Sequence, residues 1–113
     1  MHELSIAMSL ISIAETEAKK AESSRIISVK IQCGYLSGVD FESFEFMLDL
    51  AKKHTILDNA VIDFERMKGV GKCRQCLTEF PVEDQLVTCP HCRGFSVNIT
   101  GGRELKIISM VVE

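Results

Sequence analysis

The chain has no long apolar run, no strong excess of one charge and no basic segment at its start. None of its apolar runs approaches the ~20 residues needed to cross a bilayer, so we expect no membrane span. Acidic Glu3 stands where a secretory signal would carry positive charge, so we expect no export signal. The net charge is −3 with both signs interspersed, which gives no overall field suited to nucleic acid or an anionic membrane.

Length and cysteine content narrow the class further. A chain of 113 residues fits one compact domain, or a small core that carries a module held together by a metal. Four of the five cysteines fall into two closely spaced pairs, which favours a reducing compartment over a disulfide scaffold. We therefore expect a cytoplasmic protein. The sequence has no internal repeat beyond these pairs and no low-complexity segment.

The cysteine pairs predict a structural zinc site. Two C-x-x-C pairs stand twelve residues apart, at Cys73, Cys76, Cys89 and Cys92. Such pairs can each supply two thiolates to one tetrahedral Zn(II), which leaves no open coordination position. The competing interpretation is a thioredoxin-like redox centre, but it needs only one pair and leaves the second unexplained. We expect the module to lose its fold without the metal.

The start of the chain suggests a second metal site of a different kind. Met1, His2 and Glu3 can offer a free amine, a backbone amide that can lose its proton, and an imidazole. Nitrogen donors in a planar arrangement suit Ni(II) or Cu(II). The bulky side chain of His2 should also keep the initiator methionine in place. A histidine at position 2 is a weak motif by itself, because it usually means nothing.

Hydrophobic periodicity predicts an α+β framework. Apolar residues recur at helical spacing over residues 4–22 and again after Asp40, a candidate N-cap. Alternating patterns predict strands at 25–33 and 60–67, and a β-branched run predicts a returning strand at 103–112. The cysteine module therefore interrupts the framework, and we expect Gly69-Val70-Gly71 to form a hinge before it. Gly101-Gly102 should break the chain after it.

Three further residues could each have either an ordinary structural role or a role in metal binding. Cys33 lies on the apolar phase of its strand, so core packing is favoured over metal binding. His54 should lie at the surface near a helix end, and His91 within the second pair should be exposed to solvent. Inside the module, the apolar residues could form a small core beside the metal: Phe80, Leu86, Val87, Phe95 and Val97.

Several segments together resemble the HypA/HybF family of nickel-insertion accessory proteins for hydrogenase. They are M-H-E at the start, C-G-Y-L-S-G-V after the first strand, the helix D-F-E-S-F-E-F, and C-x-x-C followed by C-P-x-C. The resemblance covers essentially the whole chain. It implies nickel binding at Met1, His2 and Glu3 through His2 and main-chain nitrogens, and structural zinc at the four paired cysteines. Histidines beside the zinc ligands of some relatives are replaced here by Leu77, Thr78, Arg93 and Gly94.

The resemblance also implies a function and partners. It describes a nickel metallochaperone that is not an enzyme and that works with a nickel-handling maturation GTPase. Nickel would pass to the large subunit of nickel-iron hydrogenase. No nucleic-acid partner or membrane span is implied. The sequence leaves open whether the protein is a monomer or a homodimer, and whether urease also receives nickel from it.

Two other classes remain as alternatives. The first is a zinc ribbon that acts as a nucleic-acid or protein-interaction module. Binding to nucleic acid would need clustered basic residues for phosphate, whereas residues 69–100 carry equal numbers of acidic and basic residues. A zinc-dependent hydrolase would need an open metal position and a general base, which a four-cysteine site does not provide. Nickel titration and salt-dependent nucleic-acid binding would separate these classes.

The predicted fold is α+β, with two helices packed on a small mixed β-sheet and an inserted four-cysteine zinc-ribbon module. A nickel-binding domain should cover residues 1–68 and be completed by strand 103–113. The zinc-ribbon domain should cover residues 69–102.

Overall fold

A computed structural model describes residues 2–113, which form two helices and six strands. The helices are α1 (His2–Lys20) and α2 (Phe41–Ala51). The strands are β1 (Ile26–Gly34), β2 (Val61–Met67), β3 (Gly69–Cys73), β4 (Glu79–Val82), β5 (Val97–Thr100) and β6 (Leu105–Val112). They form two three-stranded sheets, ordered β2-β1-β6 and β4-β3-β5. The predicted α+β class is confirmed.

The chain divides into two compact units. The first holds the described residues up to Gln32 together with Val39–Glu65 and Lys106–Glu113. The second holds Cys33–Gly38 and Arg66–Leu105. This division follows packing alone, whereas the predicted domains also assign a metal to each part of the chain. The assignment of a nickel-binding and a zinc-ribbon domain therefore stays a prediction.

The core of the first unit comes from helix periodicity. The buried residues of α1 recur every three or four positions, at Ala7, Leu10, Ile11, Ala14 and Ala18. Small residues at these positions let α1 approach α2, and the two helices pack together. The helix ends two residues earlier than predicted, because Glu22 adopts a left-handed backbone with φ 54°.

Aromatic contacts fix α2 against β2. The rings of Phe41 and Phe44 meet the Phe64 ring edge-on, with centroids 5.0 and 6.1 Å away. Phe44 is fully buried, so it anchors the helix. Asp40 occupies the predicted N-cap position, but its side chain accepts a hydrogen bond from the Ser43 hydroxyl at 2.6 Å instead of from a backbone amide.

The second unit is built around β3, whose glycines were predicted to form a hinge. That prediction is wrong, because Gly69 to Cys73 pair antiparallel with β4 on one side and β5 on the other. A Cβ on Gly71 would stand 2.8 Å from the side chains of Phe80 and Val82. The glycine therefore provides room for close packing. The predicted break at Gly101-Gly102 is present, with φ values of 69° and 81°.

Among residues 2–113, no helix has both the length and the apolar character required to cross a membrane. The expected burial of Cys33 is confirmed, since its side chain is fully buried. His54 and His91 are both exposed, as predicted.

Candidate metal centres

The four paired cysteines meet at one end of the second sheet. Cys73 ends β3, Cys76 follows it in a turn, and Cys89 and Cys92 lie in the loop before β5. Their sulfur atoms all lie within 4.8 Å of one another. The structure therefore joins the two pairs that the sequence separates.

The spacing of the sulfurs fits a single tetrahedral metal ion. Cys73 Sγ lies 3.5 Å from Cys92 Sγ, and Cys76 Sγ lies 3.5 Å from Cys89 Sγ. Metal–sulfur bonds of about 2.3 Å in a tetrahedron would place the sulfurs about 3.8 Å apart. A disulfide would need about 2.05 Å, and all four thiols are free. Because each close pair joins the two C-x-x-C turns, one ion would hold the turns together.

Both C-x-x-C turns have the same backbone construction. The amide of the residue after the second cysteine donates to the carbonyl of the first, from Leu77 to Cys73 at 3.0 Å and from Arg93 to Cys89 at 2.8 Å. Those two residues have left-handed backbones, with φ of 65° and 63°. Such turns aim both cysteine side chains of a pair inward.

Backbone amides point at the sulfurs. The Cys76 amide donates to Cys73 Sγ at 3.5 Å, and the amides of His91 and Cys92 donate to Cys89 Sγ at 3.4 Å. Donors aimed at sulfur stabilise the thiolate, which is the form that binds metal. The amides of Cys76 and Gln75 accordingly lower the pKa of Cys73.

The remaining cysteines differ in proton affinity. The Thr78 hydroxyl, 3.3 Å from Cys76 Sγ, is the largest of several causes, with the Thr78 backbone amide next, that together lower the pKa of Cys76 to about 6. For Cys92, a hydrogen bond from the Gly94 amide lowers the pKa, but the Cys73 thiol and burial outweigh it and raise the pKa to about 11. Cys76 is thus a thiolate at neutral pH, while a metal would have to displace the proton of Cys92.

The apolar core expected beside this site is formed only in part, because Phe80, Val87 and Val97 are half-buried. Leu86 and Phe95 keep 91% and 84% of their surface exposed, so the predicted cluster is wrong for these two residues. Cys73, Cys89 and Val82 are buried instead. The four sulfur atoms take the place of an apolar core in this unit. A prediction from hydrophobicity alone therefore put the core in the wrong place.

The predicted nickel site lies at the start of α1. Met1 lies outside the described residues, while His2 and Glu3 form the first helical turn. His2 Nε2 lies 3.6 Å from Glu3 Oε2, with 61% of the His2 side chain exposed. The first four amides of a helix have no carbonyl partner within it, so the amides of this turn are open to other ligands.

His54 and His91 are not part of the four-cysteine cluster. Within residues 2–113, the four paired cysteines form the one group of three or more potential side-chain ligands close enough to share an ion. Sequence reasoning missed Thr78 as a partner of Cys76. Its position two residues after a ligand was the available signal.

The first turn of α1 can offer nitrogen ligands, and the four paired cysteines form a separate centre. With the α+β fold, these two features define a small metal-binding protein. Residues 1–112 match the family model described as "Hydrogenase/urease nickel incorporation, metallochaperone, hypA". The chain belongs to this HypA family, which confirms the resemblance seen in the sequence.

Curated relatives and solved structures agree over nearly full length. The chain is 38% identical to the hydrogenase maturation factor HypA of Parabacteroides distasonis, covering 100% of this chain and 98% of the relative. It is 40% identical to the same factor of Geotalea daltonii, covering 99% of each. The solution structure of the nickel metallochaperone HypA from Helicobacter pylori matches with TM-score 0.67 and 27% identity, covering 99% of this chain and 97% of that one.

Proposed function

We propose that this protein binds Ni(II) at Met1, His2 and Glu3 and helps to insert it into the large subunit of nickel-iron hydrogenase. Membership of a nickel-incorporation metallochaperone family supports the cargo. The observation that carries the location is the start of α1 at His2, where the helix leaves its first amides without carbonyl partners. An amide that makes no helical hydrogen bond can give up its proton to a metal at lower cost.

The charge around His2 also supports this proposal. Glu3 holds its carboxylate near Nε2 of the imidazole, so Nδ1 on the backbone side is the nitrogen that can close a chelate ring with the His2 amide. The carboxylate also offsets part of the cation's charge, which the positive end of the helix dipole would otherwise oppose.

Zinc is the metal that we propose for the four-cysteine site. Four thiolates in tetrahedral spacing suit Zn(II), and a closed donor set leaves no position for a substrate or an activated water. Its role is therefore structural, and we propose that the protein is not an enzyme. Nickel remains exchangeable cargo.

Partners follow from the same proposal. A chaperone that delivers Ni(II) needs a recipient, which we propose to be the hydrogenase large subunit. We also propose that it acts together with a nickel-handling maturation GTPase. We propose a cytoplasmic location, no nucleic-acid partner and, as an oligomeric state to be tested, a homodimer. The alternatives are a zinc ribbon that binds nucleic acid, which is disfavoured because residues 69–100 carry as many acidic as basic residues, and a zinc ribbon that binds another protein, which absence of nickel binding would favour.

Replacing His2 by Ala, in protein whose first residue is verified as Met1, tests the nickel site. We expect the zinc-loaded variant to lose tight nickel binding in a calorimetric titration, because the imidazole supplies one of the chelate rings. Zinc content and thermal stability should stay unchanged, since the His2 side chain is largely exposed. His54→Ala and His91→Ala are matched controls, because both residues are exposed. Loss of nickel binding in a control, with the His2 variant unaffected, would relocate the site.

A further inference from the structure

One face of α2 exposes carboxylates around an aromatic ring. Glu42, Glu45, Phe46 and Asp49 are spaced at i, i+3, i+4 and i+7, which places them on the same side of the helix. All four are exposed, and Phe46 leaves 60% of its surface in solvent. Packing within the unit does not require Phe46, because the opposite side of the helix already supplies the core residues.

This face borders a groove between α2 and β2, which we call the α2–β2 groove. Its volume is about 520 Å³, and β2 contributes Val61, Ile62 and Phe64 to its wall. Ile62 lies on the same face of β2 as Phe64, which packs on α2, and it is half-buried, so a second apolar side chain lines the groove opposite Phe46. The groove lies entirely within the first unit.

The strand beside the groove is also open to a further strand. β2 lies at the edge of its sheet and pairs with β1 alone. One row of its backbone N–H and C=O groups therefore faces away from the sheet, where an extended segment could pair with it.

The groove carries unbalanced negative charge. Among the described residues, neither Glu42, Glu45 nor Asp49 forms an ion pair. Lys52 is the one basic residue of the lining, and its ammonium donates to the Ala60 carbonyl at 3.2 Å. The lining thus keeps an excess of two negative charges.

We propose that the α2–β2 groove binds a basic, amphipathic segment of a partner protein in extended form. Lysine or arginine side chains of the segment pair with the three carboxylates of α2, and an apolar side chain on the same face of the segment packs between Phe46 and Ile62. Its backbone extends the sheet at β2. A second copy of this chain that docks through the same face is disfavoured as the occupant, because it would bring the same carboxylates against each other. This inference goes beyond the nickel proposal and does not depend on it.

The test uses the zinc-loaded full chain and a defined peptide. An acetylated and amidated peptide Lys-Thr-Leu-Thr-Lys-Thr-Lys, whose Lys and Leu side chains share one face of the extended chain, is titrated while backbone amide shifts are followed by NMR, with no nickel present. We expect saturable shifts confined to α2 and β2, together with weaker binding as salt is raised. A peptide with Glu at every Lys position should give no shifts there.

Two variants identify the groove as the site. Glu45→Lys combined with Asp49→Lys should weaken binding about tenfold, because two attractive contacts become repulsive. Phe46→Ser should weaken it by a similar factor without altering charge. Glu15→Lys on α1 and Leu86→Ser in the second unit are controls of the same types at exposed positions. Zinc content and thermal unfolding show that each variant is folded.

Three results would overturn the proposal. Shifts spread over every acidic surface, with Phe46→Ser binding normally, would show general charge attraction. Equal binding of the acidic peptide would remove the electrostatic basis. Shifts at α2 and β2 that depend on protein concentration without peptide would show that a second copy occupies the groove. Each result is independent of whether His2 binds nickel, so the two proposals fail separately.

Discussion

Leu77 and Arg93 show how closely the cysteine turns constrain single residues. Both have left-handed backbones, which glycine tolerates and which cost other residues about 1–2 kcal/mol. The turns retain this geometry because it directs two sulfurs of each pair to one point. Spacing in the sequence was enough to predict that the four cysteines would meet at one site. The residue after each second cysteine carries no sign of its unusual conformation, since neither is glycine.

Replacing Thr78 tests the effect of one hydrogen bond on the acidity of Cys76. Thr78→Val removes the hydroxyl that is the largest cause of the lowered pKa of Cys76 and keeps the Thr78 amide, so that pKa should rise part of the way towards the ordinary thiol value. A thiol with a higher pKa stays protonated at higher pH. Protons therefore displace the metal at a higher pH when the solution is acidified. We expect the midpoint of acid-induced zinc release to move up by a few tenths of a pH unit, measured with a colorimetric chelator.

Thr88→Val is the matched control for this measurement. Thr88 is exposed and, unlike Thr78, makes no hydrogen bond to a sulfur among the contacts seen in residues 2–113. Its release curve should overlay that of the unaltered protein. Equal curves for all three proteins would show that the Thr78 hydroxyl does not stabilise the metal-bound thiolate.

Elements with a repeating hydrophobic pattern were predicted well. The two helices and the strands β1 and β2 lie where their periodicity placed them, and β6 lies where its β-branched run placed it. The helices and β1 supply buried residues to the core, while β2 and β6 have half-buried residues between exposed ones. β3 was missed because glycine marks both flexible joints and places of close approach. Only the packing of the Phe80 and Val82 side chains against Gly71 shows that this glycine allows close packing and does not form a flexible joint.

Two phenylalanines of α2 test the division between buried and exposed faces. Phe44→Ala should lower the free energy of unfolding by about 3–5 kcal/mol, because it leaves a cavity in a fully buried position. Phe46→Ala should change it by less than about 0.5 kcal/mol, since Phe46 is 60% exposed. Urea unfolding of the zinc-loaded protein measures both. Similar losses would mean that Phe46 belongs to the core.

At the scale of the whole molecule, the two units depend on different sources of stability. The first buries large apolar side chains such as Phe44, Ile31 and Leu48. The second is short of such residues and buries three cysteines, Cys33, Cys73 and Cys89. Composition predicted that a small module would need a metal, because few apolar residues are available to it. The extent of the second unit, which includes residues 33–38, had no signal in the sequence.

Removing one zinc ligand should therefore affect the units unequally. Cys76→Ala or Cys89→Ala should release zinc and disorder the β4-β3-β5 sheet, while α1 and α2 keep their packing. Amide exchange with zinc analysis would show loss of protection at β3 and retention at α1. Cys33→Ala is the control, because it also removes a buried thiol but takes no part in the cluster. One zinc per chain in either ligand variant would disprove the four-cysteine assignment.

Nickel binding should depend on the chain start itself, beyond the side chains near it. If the amine of Met1 and the His2 amide are ligands, both must lose protons, so nickel affinity should fall as pH drops below the amine pKa of about 7.7–8.0. A glycine added before Met1 turns that amine into an amide and moves His2 away from the terminus. We expect this extended form to bind nickel at least about tenfold more weakly by calorimetry than protein whose first residue is verified as Met1. A form with one glycine added after Glu113 has the same composition and should bind normally. Undiminished affinity in the form extended before Met1 would show that the amine is not a ligand, even where His2→Ala abolishes binding.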